Sequence, residues 1–476
     1  MDATSLQFKE NARAALADPI LRQALDKARV GFSAMRRKAY DRLPEFEALR
    51  EEAKRVKDHT LAHLDFYLET FEKNVIANGG SVHWARNAEE ARAIVLGICK
   101  RLEARTVTKG KSMISEEIGL NQYLKANGVT PIETDMGEYV IQLRNEPPSH
   151  LLAPAFHLIR EQWTDAFRAA HTDLPPDRPL EEPRALADEG RAVLRDRFLA
   201  ADVGVTGANF LIAETGAVVI VTNEGNGDLT QTLPKAHIVV ASIEKAAPTL
   251  DDAMTLLRLL ARSSTGQEIS TYVTFSAGSK RASDLDGPGE YHVVLLDNGR
   301  SAMLGTEFQD MLRCIRCSAC LNHCPVYLSV GGHAYGWVYS GPMGAVLTPS
   351  LIGVEAAGHL PNASTFCGKC ESVCPVKIPL PKMMRHWRER QWDSGKESKR
   401  YRAGLKLWAF FARRPALYRW GCELAARLLG KHGAPRRRFG SFPLAGAWTR
   451  GRDLPTSEGR SFMSLWAERQ RQGKPR

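Results

Sequence analysis

The 476-residue sequence predicts an α/β domain with a largely parallel sheet, followed by a cysteine-rich helical module and a basic C-terminal region. Three observations support this fold class. Predicted strands and helices alternate after residue 80, as they do in α/β proteins. Seven of the nine cysteines lie between residues 314 and 374. Lysine and arginine outnumber acidic residues by 24 to 7 from residue 381 onward, although the whole chain carries only +11.

Residues 1–80 form a charged N-terminal region with helical periodicity. The pair Gly79-Gly80 is expected to end its last helix. The apolar positions recur every three or four residues, which predicts one buried helix face. These positions are Leu61, Leu64, Tyr67, Leu68 and Phe71.

The α/β domain begins with short alternating elements. Asn87, with Glu90 three residues later, is typical of a helix start. Glu116 and Glu117 would lie in a first helical turn, where the helix dipole favours acids, and Gly128 would close that helix. The predicted elements are a strand at 81–84, a helix from 87 to about 104, a strand at 106–109, a helix at 115–126 and a strand at 130–134.

The following segment is richer in strands. Gly216 supplies a positive φ for a tight turn between two of them, and residues 223–227 are expected to form a flexible loop. Neither a Gly-x-Gly-x-x-Gly run after a strand nor a Walker A motif occurs, so no motif supports a nucleotide site. The predicted strands are 209–213, 217–222, 237–242, 272–276 and 293–296.

Polar runs follow two of the predicted strands, and in such sheets ligands bind beyond the carboxyl ends of the strands. Lys111 lies beside a glycine and a serine and suits a carboxylate or phosphate. Acids and histidines together suit general acid–base chemistry, and His150 and His157 are predicted on one helix face. The alternative is that all are solvated loop residues and helix caps. The candidate catalytic residues are Lys111, Glu133, Asp135, Glu138, His150 and His157.

The cysteines form two related runs. The first has the Cys-x-x-Cys-x-x-Cys-x-x-x-Cys-Pro spacing of a bacterial ferredoxin, whose fourth cysteine reaches across to the other cluster. The run recurs 50 residues later with Ser364 in place of its first cysteine. If the last cysteine of each run binds the cluster of the other run, the sequence predicts a 4Fe–4S cluster on Cys314, Cys317, Cys320 and Cys374. The second cluster would then be held by Cys324, Cys367 and Cys370.

Three thiolates leave the second cluster open to two interpretations. It is either a 3Fe–4S cluster or a 4Fe–4S cluster with one iron on a non-cysteine ligand, for which Ser364 is the positional candidate. Structural zinc is the alternative for both sites, but zinc requires neither a third cysteine at this spacing nor two Cys-Pro endings. The remaining thiols, Cys99 and Cys422, are expected to be buried and inert.

The basic C-terminal region has a net charge of +17 and six of the nine tryptophans. Residues 405–429 mix arginines with Leu, Trp and Phe at helical spacing. This pattern is typical of a helix at a membrane surface or a partner, or of one packed on its own protein. No nucleic-acid-binding module is recognised. Since neither a secretory signal nor a membrane span is evident, we expect a cytoplasmic protein, with possible peripheral contact at the inner membrane face.

Several motifs together resemble the lactate-utilisation protein B family, whose members are LUD-domain iron–sulfur proteins. The resemblance spans nearly the whole chain. It implies a LUD α/β domain with an isomerase- or CoA-transferase-like sheet, an α-helical ferredoxin domain with two cubane clusters, and a family-specific C-terminal domain. The motifs are Lys-Ser at 111–112, Glu-Thr-Asp-x-Gly-Glu at 133–138, Glu-Thr-Gly at 214–216, the cysteine runs, Gly-Gly-His-Ala-Tyr-Gly at 331–336 and Gly-Arg-Asp-Leu-Pro at 451–455.

The resemblance also implies a function. Such proteins act with a cysteine-rich iron–sulfur subunit and a small LUD-only subunit in oxidising L-lactate to pyruvate. We therefore expect an electron-transfer subunit, an oxidoreductase component. The alternatives are a catalytic subunit that binds the 2-hydroxy acid itself and a scaffold whose LUD pocket senses a metabolite. The expected domains are an N-terminal helical region at 1–80, the LUD domain at 81–300, the ferredoxin domain at 301–395 and the basic domain at 396–476.

Overall fold

The structure, a computed structural model, describes residues 3–395, 398–433, 437–442, 446–449 and 451–473. The chain divides into two compact units, residues 1–393 and residues 394–476. Within the described ranges, no helix is both long enough and apolar enough to cross a membrane.

The N-terminal region forms four helices. The carboxylate of Asp18 accepts a hydrogen bond from the backbone N–H of Ile20 at 2.8 Å, and Pro19 fills the first helical position of the second helix. The predicted apolar face is buried but is divided between two helices, because His63 leaves helical geometry with φ of −131°. The helices are α1 (Phe8–Ala17), α2 (Pro19–Asp41), α3 (Phe46–Ala62) and α4 (Leu64–Ala77).

The next region alternates strands and helices. The strands predicted near residues 81, 106 and 130 are confirmed, and the Asn87 side chain caps its helix by accepting a hydrogen bond from the N–H of Glu90. The single helix predicted at 115–126 is wrong, because Gly119 adopts φ of 63° and divides it. The elements are β1 (Ser81–Ala85), α5 (Ala88–Arg101), β2 (Thr106–Lys109), α6 (Met113–Glu117), α7 (Leu120–Ala126), β3 (Thr130–Glu133), α8 (Met136–Leu143), α9 (Arg160–Ala170), α10 (Pro183–Leu199) and β4 (Val203–Thr206).

Six more strands complete two sheets. Gly216 has φ of 69° and closes the predicted hairpin. The loop predicted at 223–227 is partly helical, since a helix begins at Asn226. The elements are β5 (Phe210–Ile212), β6 (Ala217–Thr222), α11 (Asn226–Thr232), β7 (Ala236–Ser242), β8 (Ala246–Ala247), α12 (Leu250–Ser264), β9 (Tyr272–Ser276) and β10 (Glu290–Leu296).

The larger sheet has the order β1-β10-β7-β4-β2-β3 and is parallel, as expected. From β2 the chain moves to one side to form β3 and then returns to the other side to form β4. The boundary between β2 and β4 is therefore a point where the direction of the strand order reverses, a place where open α/β sheets bind ligands. The smaller sheet, β8-β5-β6-β9, contains the antiparallel hairpin.

The cysteine-rich module consists of short helices. It shares one hydrophobic core with the N-terminal helices and the smaller sheet, to which Phe46, Phe71, Val219, Leu321 and Trp387 all contribute. Burial of large apolar side chains is the main stabilising contribution to such a core. The helices are α13 (Ala319–Asn322), α14 (Tyr327–Val330), α15 (Gly341–Ile352), α16 (Val354–Ala357), α17 (Lys369–Ser372) and α18 (Leu380–Asp393).

The second unit contains most of the basic region. The apolar stretch at 405–429 is divided between two helices that separate at Arg413-Arg414. Trp408 and Trp420 remain 61% and 65% exposed, and α19 has no buried residue. The elements are α19 (Lys399–Ala412), α20 (Pro415–Gly433), β11 (Arg438–Phe439), α21 (Gly446–Thr449), β12 (Leu454–Pro455) and α22 (Phe462–Arg471).

Candidate iron–sulfur centre and adjoining cavity

The two cysteine runs repeat in backbone conformation as well as in sequence. Arg316 and Ser318, on either side of the second cysteine of the first run, have φ of 61° and 58°. Phe366 and Gly368 occupy the equivalent positions of the second run, with φ of 54° and 75°. A left-handed conformation is unfavourable for non-glycine residues by roughly 1–2 kcal/mol each. Both runs therefore maintain strained turns, of the kind that direct successive backbone N–H groups toward one anionic site.

Four thiols line one small cavity whose remaining walls are mainly apolar. Burial and the neighbouring thiols raise the pKa of Cys320 well above its usual range. Iron ligation removes these protons, because a coordinating thiol is deprotonated. We call these four residues the first thiol group: Cys314, Cys317, Cys320 and Cys374.

The other three cysteines of the two runs form the second thiol group, defined as Cys324, Cys367 and Cys370. Burial, followed by the nearby Cys324 thiol, raises the pKa of Cys370 to about 12. Cys367 is exposed, and hydrogen bonds, chiefly from the N–H of Lys369, lower its pKa. The Ser364 hydroxyl accepts a hydrogen bond from the N–H of Phe366 at 3.1 Å.

The residues of the first thiol group fit an iron–sulfur cluster. The backbone N–H of Ile378 donates to the sulfur of Cys374 at 3.4 Å, and hydrogen bonds to sulfur are among the features that tune such clusters. These four thiols, with a backbone N–H donor at one sulfur, are the kind of donor set that holds a 4Fe–4S cluster.

Two buried arginines from the N-terminal helices support the second cysteine run. Arg50 donates to the carbonyl oxygen of Cys374 at 3.0 and 2.7 Å and to that of Ser372 at 2.9 Å. Arg36 donates to the carbonyl oxygen of Val373 at 3.0 Å. These contacts were not predicted, because arginines in an amphipathic helix carry no sequence signal for a partner more than 300 residues away.

A cavity of about 280 Å3 lies at the carboxyl edge of the larger sheet. We call it the sheet-edge cavity. It is bordered by the segments that follow β2 and β4, and so lies where the strand order reverses. Leu151 and Arg316 line both this cavity and that of the first thiol group, which makes the two cavities neighbours. Its polar lining includes Lys111, Ser112, Asp135, Asn209, Glu224, Asn226, Lys245, Ser264, Arg316 and Tyr339.

Three cations, Lys111, Lys245 and Arg316, line the sheet-edge cavity. Lys245 is 5% exposed, and among the described residues its ammonium has neither a hydrogen-bond acceptor nor an ion-pair partner. Burial, followed by repulsion from Arg316, lowers the pKa of Lys245 to about 8. Arg316 stacks on the Tyr339 ring and pairs with Glu244 through Nη2 at 3.0 Å, but its buried Nη1 has no hydrogen-bond partner among the described residues. Lys111 donates to the carbonyl oxygen of Leu152.

Acids also line the same cavity. Asp135 caps α8 by accepting hydrogen bonds from the N–H groups of Gly137 and Glu138 at 3.0 and 3.1 Å. Burial, followed by the charge of Asp135, raises the pKa of Glu224. The cavity thus combines cationic and acidic groups, an arrangement suited to a ligand with one anionic and one neutral polar end.

Two of the candidate acids lie outside the sheet-edge cavity. Glu133 and Glu138 are buried around Lys109, whose Nζ lies 2.8 and 3.8 Å from their carboxylate oxygens and 3.0 Å from that of Glu116. Burial, followed by the charge of Glu133, raises the pKa of Glu138 well above its usual range. Both acids therefore pair with a buried lysine of β2 and do not line the sheet-edge cavity.

The expectation that His150 and His157 share a helix face is wrong. The segment from 144 to 159 contains three prolines and forms no helix. His150 is within hydrogen-bond distance of the Asn322 side chain at 3.0 Å, and His157 of Glu146 at 2.8 Å. Burial lowers the pKa of each histidine to about 4, and neither lines the sheet-edge cavity.

A buried ionic network connects the α/β region with the cysteine-rich module. Arg300 pairs with Glu117 at 2.6 Å and with Glu244 at 3.0 Å, and the Tyr339 hydroxyl donates to Glu117 at 2.6 Å. The prediction that Glu117 lies in the first turn of a helix is wrong, because Glu117 is the last residue of α6 and its carboxylate is buried against Arg300. Glu244 in turn pairs with Arg316, so the network ends at the sheet-edge cavity.

The remaining thiols differ from each other. Cys99 is fully buried in α5, as expected, and burial raises its pKa to about 11. Cys422 is only half-buried in α20, so the expectation of burial is wrong there.

Comparison with known proteins divides the chain into three matched segments. The LUD domain matches residues 68–296, the 4Fe-4S dicluster domain residues 310–378, and the C-terminal domain of lactate utilisation protein B residues 382–471. The α/β LUD domain and an iron–sulfur module are thereby confirmed. The match also favours iron–sulfur clusters over zinc.

Relatives match over the full length. An uncharacterized electron transport protein, YkgF of Escherichia coli, is 41% identical over 99% of this chain and 98% of its own. Lactate utilization protein B of Lysinibacillus sphaericus is 41% identical over 99% of both chains, and that of Bacillus subtilis is 39% identical over 97% of this chain and 96% of its own. A solved DUF162 family structure from Deinococcus radiodurans, 17% identical, covers 49% of this chain and 98% of its own with a TM-score of only 0.26. From the identity and coverage of these relatives, the chain belongs to the lactate utilisation protein B family.

Proposed function

We propose that this chain is the iron–sulfur electron-transfer subunit of a multi-protein complex that oxidises L-lactate to pyruvate and so allows lactate to serve as a carbon source. The observation that carries the proposal is the convergence of four thiols on one cavity in a member of the lactate utilisation protein B family. Relatives named for electron transport and for lactate utilization support it.

The first thiol group would hold a 4Fe–4S cluster, and the second thiol group would hold the other cluster. With three cysteines, the second cluster would be either 3Fe–4S or 4Fe–4S with one iron on a non-cysteine ligand. Ser364 is the positional candidate for that ligand, and its hydroxyl accepts one hydrogen bond, from the N–H of Phe366. Bound clusters of this kind supply one-electron transfer. The protein's contribution is the burial of the thiols and the hydrogen bonds that reach them.

The partners proposed are a cysteine-rich iron–sulfur subunit and a small LUD-only subunit. The exposed tryptophans and arginines of the second unit suit docking, either to an acidic partner subunit or to the inner face of the membrane. The site of action would be the cytoplasm.

Reconstitution tests this proposal. The three purified subunits, assayed singly and together for lactate oxidation with an artificial acceptor, should be active together. In the combined assay, Cys317→Ser should abolish electron delivery, whereas Cys99→Ser should not. Full activity of the two partners without this chain would refute the electron-transfer role. Full activity with Cys317→Ser would instead favour the scaffold alternative.

The sheet-edge cavity favours a second candidate, a catalytic subunit that binds the 2-hydroxy acid itself. The cations of this cavity can orient a carboxylate, and its acids can accept a hydroxyl proton. Leu151 and Arg316 line both this cavity and that of the first thiol group, so a bound substrate would lie near the proposed cluster. This candidate predicts lactate-dependent reduction of the isolated holoprotein. Unchanged absorbance on adding lactate would exclude it and leave the electron-transfer role intact.

A further inference from the structure

The wall of the sheet-edge cavity carries more buried positive charge than its one buried acid offsets, because Glu244 already pairs with both Arg300 and Arg316. Lys245 is 5% exposed and lines the cavity, and among the described residues its Nζ has no hydrogen-bond or ion-pair partner. The Nη1 of Arg316 is also buried and has no hydrogen-bond partner within the part of the chain that the structure describes. Burial of an uncompensated charge is strongly unfavourable, whereas pairing with an opposite charge offsets the desolvation. An anionic ligand bound in the cavity would therefore offset part of the desolvation of Lys245 and Arg316.

The position and size of the cavity restrict what that anion is. The cavity lies beyond the carboxyl ends of β2 and β4, where the strand order reverses, the usual place for a ligand in such sheets. Its volume of about 280 Å3 lies at the lower end of the range for small-molecule sites. The occupant is accordingly a small metabolite rather than a nucleotide.

The acidic part of the cavity restricts the ligand further. Asp135 and Glu224 line the same space, and like charges repel. A second carboxylate on the ligand would meet this repulsion, whereas a hydroxyl or carbonyl group would find hydrogen-bonding partners. The chemistry of the lining thus suits a monocarboxylate with a neutral polar group.

We propose that the sheet-edge cavity binds a small hydroxy- or oxo-monocarboxylate, whose carboxylate is held by Lys245 and Arg316 beside the first thiol group. Arg316 lies between two cysteines of that group and lines both cavities. The site deepens the second candidate function and rests on the same cavity. It does not require turnover, because a bound product or an allosteric metabolite satisfies the same contacts.

Direct binding to the anaerobic holoprotein tests the site. Titration calorimetry with L-lactate, pyruvate, succinate and inorganic phosphate should show binding of lactate or pyruvate and weaker binding of the other two. Lys245→Met retains the length of the side chain without its charge and should weaken monocarboxylate binding at least tenfold. Lys245→Arg should recover part of the affinity.

Lys235→Met is the matched control. Lys235 immediately precedes β7, whereas Lys245 lies just beyond the other end of that strand. The side chain of Lys235 is 75% exposed. This variant should bind as the unaltered protein does. Iron content and visible absorbance should be the same in all variants, which establishes that each retains its clusters.

Three outcomes overturn the site: no binding of either monocarboxylate at millimolar concentration, equal affinity in Lys245→Met, or tighter binding of phosphate than of both monocarboxylates. Failure here is distinguishable from failure of the proposed function. Binding without lactate-dependent reduction supports the site and removes only the catalytic candidate. A complex that is active with Lys245→Met, but not with Cys317→Ser, retains the electron-transfer role without the site.

Discussion

Arg50 in α3 donates two hydrogen bonds to the backbone carbonyl of Cys374, a residue 324 positions later in the chain. The same guanidinium reaches the carbonyl of Ser372 and pairs with Glu47 at 2.8 Å. One side chain thus fixes the loop that brings the last cysteine of the second run to the first thiol group. The N-terminal helices are part of the support of the candidate iron–sulfur centre.

Replacing this arginine should destabilise the module. Arg50→Met removes the charged donor of three hydrogen bonds to the carbonyls of Cys374 and Ser372, and a hydrogen bond to a charged group contributes about 1.5–3 kcal/mol. We expect a lower unfolding temperature and slower recovery of the iron–sulfur absorbance during reconstitution. Arg55→Met is the control, since Arg55 lies on the same helix with a side chain 72% exposed. Equal behaviour of the two variants would show that the Arg50 contacts contribute nothing.

Metal analysis should find two clusters. Anaerobically purified protein should contain about seven to eight irons with matching acid-labile sulfide, as the two thiol groups require. Cys99→Ser should have the same iron content, because Cys99 lies in α5 and is fully buried in a separate apolar cluster. Stoichiometric zinc without sulfide-to-iron absorbance would contradict the cofactor assignment.

The second cluster should be the more labile. The second thiol group provides only three thiols, and one of them, Cys367, is exposed. Air exposure should therefore remove an iron and produce a 3Fe–4S signal in electron paramagnetic resonance. Ser364→Cys supplies a fourth thiol and should suppress that signal. If the substituted protein gives the signal at full intensity, the division of ligands between the two clusters is wrong.

The pH dependence of stability should include a contribution from His237. Burial lowers the pKa of this histidine from 6.5 to about 3, so between these values the unfolded chain binds a proton that the folded chain does not. Stability from this group is complete above pH 6.5 and is lost as the pH falls toward 3. Between pH 7.5 and 5.5 the loss is about 1.4 kcal/mol.

His237→Asn removes the titrating group and should flatten this dependence, although it also lowers stability at pH 7.5 by removing the contact with the Thr206 hydroxyl. Thermal unfolding of both proteins across the same pH range measures the difference. An identical slope would mean that the pKa of His237 is the same in the folded protein as in the unfolded chain.

Truncation after residue 395 should separate docking from cluster binding. The removed segment carries most of the +17 of the basic region, and its helices leave Trp408 and Trp420 exposed. Both clusters should remain, association with partner subunits or anionic vesicles should weaken, and the remaining electron transfer should depend less on salt, since exposed charges are screened within about 10 Å at 0.1 M. Loss of the clusters on truncation would instead assign the segment a structural role.

Local patterns predicted much of the fold. The strand at 106–109 and the hairpin with Gly216 follow from β-branched runs and a glycine whose positive φ the turn requires. The repeated cysteine spacing identified the module because its ligands are close in sequence. The pattern failed for His150 and His157, where a spacing of seven was taken as helical although prolines exclude a helix.

Long-range contacts could not be predicted in the same way. Lys245 belongs to the sheet-edge cavity only because β7 ends beside β4, and a single lysine after a strand gives no sign of that. Arg316 is a basic residue inside a cysteine run, which is only a weak sequence signal for an anion-binding side chain. The partners of Arg50 and Arg300 depend on the packing of segments remote in sequence, which single-sequence periodicity does not report.

The contact between Arg50 and the Cys374 carbonyl also constrains the order of events during synthesis. At the usual elongation rates of 5–20 residues per second, the ribosome needs roughly 15–65 s to add the 324 residues that separate them. During that interval, α3 presents apolar and arginine side chains whose eventual partners have not yet been made. The nascent chain must therefore either hold its first helices in a provisional arrangement or rely on a chaperone, and the loop that receives Arg50 can be completed only late in translation.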